Sequence, residues 1–392
     1  MESADQSKTK ETGSIEIFIR AYEKRGDGIN AYLVYKIETK IFNIPGYTRS
    51  NLEVWRRFSD FLGLREKLVA KYQSKGYVVP LAPEKSISAL TKTKLNSAAE
   101  EQSTNEVADK RSRQLERFLR RVCSHNRFVI DCDVRDFLSF DGPLPKAAFT
   151  SALSGSSMLK MLKSFGDAFS KLTFPMDEND RWFEEANSQV EEMDEMMARL
   201  QASVDGLVET RRELQTSDEH LSKALSLLAS CEENTALART LSKLAETHDN
   251  LAIAERHEAE QDAQQLAEPL AEQMQLTNVL KEVFFERVKS WQAWQNQHQL
   301  LTKKREIKTR MDLAGKNASG YADELKDCEN RADQLEKDFL TMSRVIREEY
   351  DQYCKQRRHD IKNAFIAYFE SLMESEQQVL EYWERFAPET KA

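Results

Sequence analysis

Hydrophobic and polar residues alternate near the start of the chain. The alternation runs through 15–19, and further apolar-rich runs cover 32–37 and 52–57. A period of two residues is typical of strands that bury one face. The pattern therefore predicts three antiparallel strands, and the glycine-containing segment 26–28 predicts the turn that joins the first two.

A period of three to four residues replaces this alternation further along the same region. It runs through 59–73 and again through 109–123, and it predicts two amphipathic helices. Strands followed by helices indicate an α+β domain with a three-stranded antiparallel sheet, which we place at residues 13–143. We expect the preceding residues 1–12 to form a disordered leader.

Residues 175–390 carry a sustained helical pattern. No proline and one glycine interrupt 177–231, and a second helix is expected over 234–313 with a kink at Pro269. A third helix should end near Phe386. The scarcity of helix breakers and the repeat of three and four predict an all-α domain built as a long three-helix antiparallel coiled bundle.

A shorter amphipathic segment, 156–172, lies in the linker 144–174 between the two domains. Its apolar face includes Met158, Met161, Leu162, Phe165 and Phe169, and its polar face carries Lys160 and Lys163. A basic amphipathic helix can lie in the membrane interface. It can equally pack on its own protein as a linker helix, and the pattern alone leaves both interpretations open.

Net charge divides the chain along the same boundaries. The 392 residues carry a net charge of −9, which on average disfavours contact with nucleic acid and anionic membranes. Residues 13–143, however, hold 23 Lys+Arg against 17 Asp+Glu, a net charge of +6, whereas 175–392 carry −17. The acidic average therefore hides a basic first domain.

Several protein classes are disfavoured by what the sequence lacks. It contains no run of 18 or more apolar residues, no secretory signal and no CxxC among its five cysteines. Walker, GxGxxG and HExxH motifs are also missing. We therefore expect an intracellular, non-enzymatic protein with no cofactor, no metal site and no nucleic-acid partner.

Three motifs follow one another in the first domain. They are RRFSDF at 56–61, PxxPxK at 80–85 and RxxxLExFL at 111–119. In this order and at these spacings they resemble a PX (phox homology) domain. The sequence departs from the common pattern at Phe58, where tyrosine is more frequent, and at Ala82, where a further proline is frequent.

The PX resemblance implies phosphatidylinositol 3-phosphate as the ligand, with phosphatidylinositol 3,5-bisphosphate as the alternative. Arg57 would bind the 3-phosphate, and Phe58 would pack against the inositol ring. Lys85 would contact the 1-phosphate, and Arg111 would hydrogen-bond the 4- and 5-hydroxyls. Guanidinium groups suit these roles because their paired donors match a phosphomonoester. Arg56 is expected to point elsewhere and support the fold.

Four segments of the helical half resemble the BAR region of the PX-BAR sorting nexins. They are NDRWFEE at 179–185, ENTAL at 233–237, WQAWQ at 291–295 and KKRE at 303–306. With the PX motifs, they point to the branch that contains sorting nexins 1 and 2. Members of this branch carry a long N-terminal segment, and we expect any partner motif located there to be missing from this chain.

The BAR resemblance implies a crescent-shaped dimer whose concave face and tips contact a membrane tubule. The densest basic cluster near the expected tip comprises Lys303, Lys304, Arg305, Lys308 and Arg310. Each basic residue near an anionic surface contributes about 1 kcal/mol, so the cluster could contribute several. The alternative for such a cluster is a solvated helix face.

The two resemblances together imply a peripheral protein on the cytosolic face of early endosomes and their tubules. Its expected roles are phosphoinositide binding, curvature sensing or tubulation, and retromer-linked endosome-to-Golgi retrieval. Expected partners are the retromer core subunits and a second PX-BAR sorting nexin, either identical or different. The alternative is a coiled-coil scaffold that uses its PX domain only for protein contacts.

Overall fold

The chain divides into two compact units, which are described separately below. The computed structural model describes residues 13–26, 31–83, 98–142, 144, 176, 178, 180–314 and 319–390. The first unit combines the described residues before 178 with Glu282–Ile346, and the second combines Glu178–Lys281 with the chain from Arg347 onward.

The first unit contains an antiparallel sheet of three strands in the order β1-β2-β3. The strands are β1 (Ser14–Arg25), β2 (Tyr32–Phe42) and β3 (Asn51–Arg57). Ile37 on β2 lies opposite both Ile19 on β1 and Val54 on β3. Since alternate residues point to one face, Ile37 and Val54 enter the core together, as the period of two predicts.

Three helices cover one face of this sheet. They are α1 (Phe58–Tyr72), which continues into a 3-10 turn (Gln73–Lys75), α2 (Ala98–Ser124) and α3 (Cys132–Ser139). Phe61 of α1 packs edge-on against Phe137 of α3, and Leu115 of α2 joins the same core. The predicted α+β domain with its three-stranded sheet is therefore confirmed. Helix α2 begins earlier than the apolar period indicated, and α3 was not predicted.

Arg56 is buried at the end of β3 and connects the sheet to α3. Its side chain donates hydrogen bonds to the carbonyls of Phe137 at 2.8 Å and Gly142 at 3.2 Å, and also to that of Phe140. Burial lowers the pKa of the guanidinium, although it remains charged. Arg56 therefore supports the fold, as the sequence predicted, and it lies on the opposite face of the strand from Arg57.

The end of α1 packs closely on the long helices that complete the first unit. Gly76 has a φ of 92°, and a Cβ atom there would come within 2.9 Å of the Met342 carbonyl oxygen and Ile346 Cγ1. Gln73 Nε2 also donates to Glu282 Oε2 at 3.3 Å. The turn therefore needs glycine at position 76 for two reasons: its backbone conformation is left-handed, and Met342 and Ile346 leave no room for a Cβ atom.

Long helices form the rest of the described chain. They are α4 (Arg181–Cys231), α5 (Thr235–Asp262), α6 (Glu268–Leu313) and α7 (Ser319–Phe386), with a π-helical turn (Ala263–Ala267) between α5 and α6. The side chains of Asp180 and Asn234 accept backbone N–H groups at the starts of α4 and α5. The Asn234 cap fixes the start of α5 where the sequence indicated it. The Asp180 cap starts α4 at Arg181, slightly later than the predicted segment 177–231.

The irregularity predicted at Pro269 is a π-helical turn immediately before it. Proline cannot donate to the carbonyl four residues earlier, and its ring crowds that carbonyl. A π turn over Ala263–Ala267 absorbs the mismatch, so the helix continues instead of ending. The three long predicted helices are therefore confirmed, with the second one made of α5, the π turn and α6.

Helices α4 and α7 share an apolar core in the second unit with the π turn and the start of α6. Met197 and Val204 of α4 pack against Leu266 and Leu270 at the π turn, and Phe365 of α7 joins them. The spacing of seven between the two α4 residues is that of a coiled-coil seam. This core accounts for the apolar repeat of the helical half.

One arginine faces three carboxylates beside this core. Arg211 of α4 pairs with Asp262 at 2.7 Å, with Glu255 at 4.0 Å and with Glu258, all on α5. The pKa of Glu258 is raised to about 7, chiefly by burial. Arg211 opposes the shift, and the charges of Glu255, Asp262 and Glu376 add to it. The cluster therefore holds more carboxylates than a single guanidinium can neutralise.

We expect the second unit to lose stability between about pH 5 and pH 7 because of Glu258. A carboxyl whose pKa is raised on folding contributes most stability below its unfolded pKa and loses that contribution as the pH rises through about 7. The free energy of unfolding should fall by about 2 kcal/mol over this range, because one pKa unit corresponds to about 1.4 kcal/mol. Denaturant titrations of Glu258→Gln should show a smaller fall, whereas the exposed Glu260→Gln should match the parent chain. An equal fall in both variants would contradict the assignment.

Candidate functional site

Arg57 occupies the junction between β3 and the N-terminus of α1. Its backbone N–H donates to Asp60 Oδ2 at 2.8 Å, and its guanidinium Nε lies 3.8 Å from Asp60 Oδ1. The guanidinium also stacks over the Tyr32 ring, 5.5 Å from its centroid. About a third of the side chain remains exposed, so an anion can still reach it.

Phe58 connects Arg57 to Arg111 of α2. The phenyl ring is half-buried at the first position of α1, directly after Arg57. The Arg111 guanidinium carbon lies 4.6 Å from the centroid of this ring. Two predicted ligand residues from distant parts of the sequence, Phe58 and Arg111, are therefore in contact, with Arg57 beside them.

Arg111 is a buried cation without an acidic partner. The residue is 9% exposed, and no carboxylate in the described parts of the chain forms an ion pair with it. Burial raises the pKa of the neighbouring Tyr35 hydroxyl, and Arg111 partly offsets that shift. A desolvated guanidinium without a counter-ion is costly, so an anionic or multiply hydroxylated ligand would stabilise it.

The proline segment after α1 is anchored to the same domain as far as Pro83. Val79 and Ala82 are buried, and Arg65 Nε donates to the Pro80 carbonyl at 3.3 Å. Lys85 follows two residues later and lies outside the described residues. Its assignment to a 1-phosphate therefore stays a prediction.

Together these groups make a site for an anion attached to a ring. Two guanidinium groups and the N-terminal N–H groups of a 15-residue helix offer donors and positive potential to a phosphate. The rings of Tyr32 and Phe58 provide apolar surface beside those donors. The arrangement can bind and orient a phosphorylated sugar alcohol.

The predicted basic cluster at the end of α6 is divided by the structure. Lys304 Nζ pairs with Glu324 at 3.1 Å, and Arg305 pairs with Glu329 at 2.8 Å, both on α7. Lys303 and Arg310 are exposed, Lys308 is half-buried, and none of the three forms an ion pair within the described residues. The cluster is thus partly neutralised within the chain.

The amphipathic helix predicted at 156–172 lies outside the described residues, so its membrane role stays a prediction. Among the described helices, none combines the length and apolarity that crossing a bilayer requires.

Asp131, Cys132 and Asp133 are a potential metal-ligand group in the described chain, with ligand atoms within 4.8 Å of one another. Lys71 pairs with both carboxylates, and Lys67 Nζ lies 2.8 Å from Asp133 Oδ1. The two lysines already supply the positive charge that a cation would bring. The group therefore joins α1 to the start of α3, and it is not a convincing metal site.

Two residues of the site were missed by sequence reasoning, namely Tyr32 and Tyr35. Both lie on β2, which pairs with β3. Val34, which lies between the two tyrosines on β2, is directly opposite Arg57 on β3. A hairpin register derived from the alternation would have placed these tyrosines near Arg57. No sequence signal indicated that the Tyr35 hydroxyl lies beside Arg111.

Comparison with family models matches both halves of the chain. The model described as PX domain matches residues 44–141, and the model described as Vps5 C terminal like matches residues 158–389. The second match alone covers more than half of the chain. The two matches lie on the α+β domain and on the long helices, respectively.

Known proteins give the same result over nearly the full length. Human sorting nexin-1 is 39% identical over 393 aligned positions, which cover 100% of this chain and 74% of the human protein. Bovine sorting nexin-2 is 40% identical and covers 96% of this chain and 72% of that protein. The structure of the SNX-BAR protein Mvp1, solved as a tetramer, aligns with a TM-score of 0.64 at 15% identity, over 95% of this chain and 99% of that one, and so supports the fold. The chain therefore belongs to the sorting nexins that combine a PX domain with a BAR region, a family of membrane-associated sorting proteins.

Proposed function

We propose that this sorting nexin is a non-enzymatic, peripheral endosomal membrane protein that binds phosphatidylinositol 3-phosphate and senses or induces membrane curvature. The observation that carries the proposal is the buried Arg111, which stacks on Phe58 beside the accessible Arg57 without an acidic partner of its own in the described residues. A purely structural arginine at this depth would be expected to have a carboxylate or several carbonyl partners, as Arg56 does.

The geometry suggests how the headgroup would be held. The 3-phosphate would bind Arg57 and the N-terminus of α1, displacing the loose contact between Arg57 and Asp60. The inositol ring would cover Phe58, and Arg111 would reach its 4- and 5-hydroxyls. Lys85 would approach the 1-phosphate from the proline loop. A 5-phosphate would meet Arg111, which keeps phosphatidylinositol 3,5-bisphosphate as the alternative ligand.

A second copy of the chain, or a related sorting nexin, would cover apolar stripes that the second unit leaves exposed. Leu214, Leu221 and Leu228 recur every seven residues on α4, and Phe369 and Met373 form part of a similar stripe on α7. Phe369 and Met373 are each more than half exposed. Stripes of this length are larger than a monomeric protein usually leaves in water, and they match the needs of a large obligate interface.

We expect the paired substitution Phe369→Glu with Met373→Glu to convert the dimer into monomers. Two carboxylates inside an apolar interface would be desolvated without partners, which should weaken dimerisation by at least about a hundredfold. Sedimentation of the full chain measures this directly. A control with Asn363→Asp and Gln378→Glu adds the same charge at exposed α7 positions outside the stripe. Equal dissociation of both variants would contradict the interface.

Lipid binding and dimerisation would reinforce each other on the membrane. Two PX domains in one dimer bind one surface, so the second contact forms at high effective concentration. Basic residues at the end of α6 and the amphipathic segment 156–172 would add further contact. The family membership supports placing this activity in retromer-linked endosome-to-Golgi retrieval, on the cytosolic face of early endosomes, with retromer core subunits as partners.

Vesicle flotation of the full chain, with electron microscopy of the same samples, tests the proposal. Vesicles that differ only in their phosphoinositide should recover the protein best with the 3-phosphate lipid, and bound vesicles should form tubules. Flotation that ignores the phosphoinositide would remove the lipid assignment and favour the coiled-coil scaffold. Specific flotation without any tubules would limit the function to lipid recognition.

A further inference from the structure

The Tyr35 hydroxyl is a buried polar group at the edge of the candidate site. The residue is fully buried, and its ring is held in the core by an edge-on contact with Phe61, with 6.3 Å between the ring centroids. The hydroxyl oxygen is shielded from solvent and has no hydrogen bond of good geometry with a described residue. Because a buried hydroxyl without a partner is costly, this oxygen calls for a functional explanation.

Arg111 is the group that lies beside this hydroxyl. It is close enough to oppose the rise in the Tyr35 pKa that burial causes, although the two groups are not aligned for a good hydrogen bond. The guanidinium carbon lies 4.6 Å from the centroid of the Phe58 ring. A guanidinium has five N–H donors in one plane, so contact with a ring leaves donors free along its edge. A small shift of Arg111 would complete its hydrogen bond with Tyr35.

The acidic residue nearest to Arg111 along α2 is engaged elsewhere. Tyr22 on β1 lies directly opposite Tyr35 on β2, with 6.5 Å between the ring centroids. Burial raises the pKa of the Tyr22 hydroxyl, and a hydrogen bond to the Asp109 carboxylate of α2 raises it further. The two opposed tyrosines therefore contact the same part of α2, one at an anion and the other at a cation.

We infer that Tyr35 is a positioning residue that orients the Arg111 guanidinium toward the 4- and 5-hydroxyls of a bound inositol phosphate. The inference rests on the proposed lipid function and assigns a further residue to it. A ring bound against Phe58 would move the guanidinium toward Tyr35, whose hydroxyl would accept one N–H and leave the other donors to the ligand. A neutral acceptor suits this role, because a carboxylate would satisfy the arginine and compete with the ligand for it.

The substitution Tyr35→Phe tests the role with the smallest change of shape. Calorimetric titration of the full chain with soluble, short-chain phosphatidylinositol 3-phosphate should show binding weakened by about fivefold, since Arg111 loses the acceptor that orients it. Amide hydrogen exchange should retain the protection of β2, because a hydroxyl without a well-aligned partner contributes little to the fold. Equal binding of the parent chain and Tyr35→Phe would overturn the inference.

Tyr47→Phe is the matched control within the same domain. The Tyr47 hydroxyl donates to the Val129 carbonyl at 2.9 Å, so its loss removes a real structural hydrogen bond. This variant should exchange its amides faster near Val129 and change headgroup binding by less than about twofold. The same chemical change should thus affect the fold at one tyrosine and the ligand at the other. Equal losses of binding in the two variants would mean general loosening of the domain and would overturn the inference.

Combination with Arg111→Ala shows whether Tyr35 acts through the arginine. In that background the further substitution Tyr35→Phe should weaken binding by less than about twofold, because the group that it orients is missing. A fivefold loss that persists without Arg111 would show that Tyr35 acts on the ligand by another route, and the positioning role would be wrong.

A headgroup analogue that lacks the 5-hydroxyl separates positioning from a structural effect. The parent chain should bind the natural headgroup about tenfold more tightly than the 5-deoxy analogue, and Tyr35→Phe should narrow this ratio to about threefold. An unchanged ratio would reduce Tyr35 to a structural residue and overturn the inference. If the parent chain binds no headgroup, the proposed function and this inference fail together, whereas binding by the parent chain that Tyr35→Phe does not alter removes the inference alone.

Discussion

Arg57→Ala should abolish recognition of phosphatidylinositol 3-phosphate while leaving the fold intact. The guanidinium supplies charge-assisted, paired donors to the phosphate at the N-terminus of α1, and alanine supplies none. Losing them should cost about 2–4 kcal/mol of binding free energy, a weakening of about thirtyfold or more. Surface plasmon resonance on vesicles that contain the lipid measures the change.

The control for Arg57 is an arginine of equal charge on the same domain. Arg20 is exposed on β1 and pairs with Glu38 at 3.2 Å, so Arg20→Ala should reduce binding less than threefold. Arg57→Lys keeps the charge but loses the paired donors, and it should fall between the parent chain and Arg57→Ala. Equal losses for Arg20→Ala and Arg57→Ala would mean that bulk charge, and not a built site, attracts the lipid.

Arg56→Ala should unfold the PX domain, although it changes the residue next to the ligand site. Its side chain satisfies the buried carbonyls of Phe137 and Gly142, and the ring of Phe137 lies beneath the guanidinium carbon at 5.5 Å. Removing the donors leaves carbonyls unsatisfied and opens a cavity, at a cost of at least about 3 kcal/mol. Amide hydrogen exchange in the full chain should show lost protection along β3 and α3.

The neighbouring variants separate the two roles. Arg57→Ala should keep the hydrogen-exchange protection of β3 and lose the lipid, whereas Arg56→Ala should lose both. Arg56→Lys should recover part of the protection, because an ammonium group can still donate to one or two of the carbonyls. Full protection in Arg56→Ala would show that the four-residue span from Phe137 to Phe140 is held by packing alone.

Long periodic segments account for the success of the fold prediction. The apolar repeat of the helical half is the seam of a real core, and the caps Asp180 and Asn234 are readable from residue type. The eight-residue helix α3 was missed because it is too short to repeat its apolar pattern more than twice. Its start depends on Asp131, whose carboxylate also binds Lys71 and Tyr72 from α1.

The motifs were enough to predict the residues of the candidate site, but not the tertiary contacts that surround them. The RRFSDF motif indicated that the two arginines have different roles, since alternate residues of a strand point to opposite faces. The stacking of Arg111 on Phe58 depends on how α2 crosses the sheet, which no local pattern encodes. Likewise, the pairing of Lys304 with Glu324 depends on the register of α6 against α7.

Titration of the full chain with short-chain, soluble phosphatidylinositol 3-phosphate tests headgroup recognition most directly, because no membrane is present. Calorimetry should detect saturable binding of one headgroup per PX domain, with much weaker binding of the 4-phosphate isomer and none in Arg57→Ala. Equal heats for both isomers, or binding that survives Arg57→Ala, would contradict a specific site built on Arg57, Phe58 and Arg111.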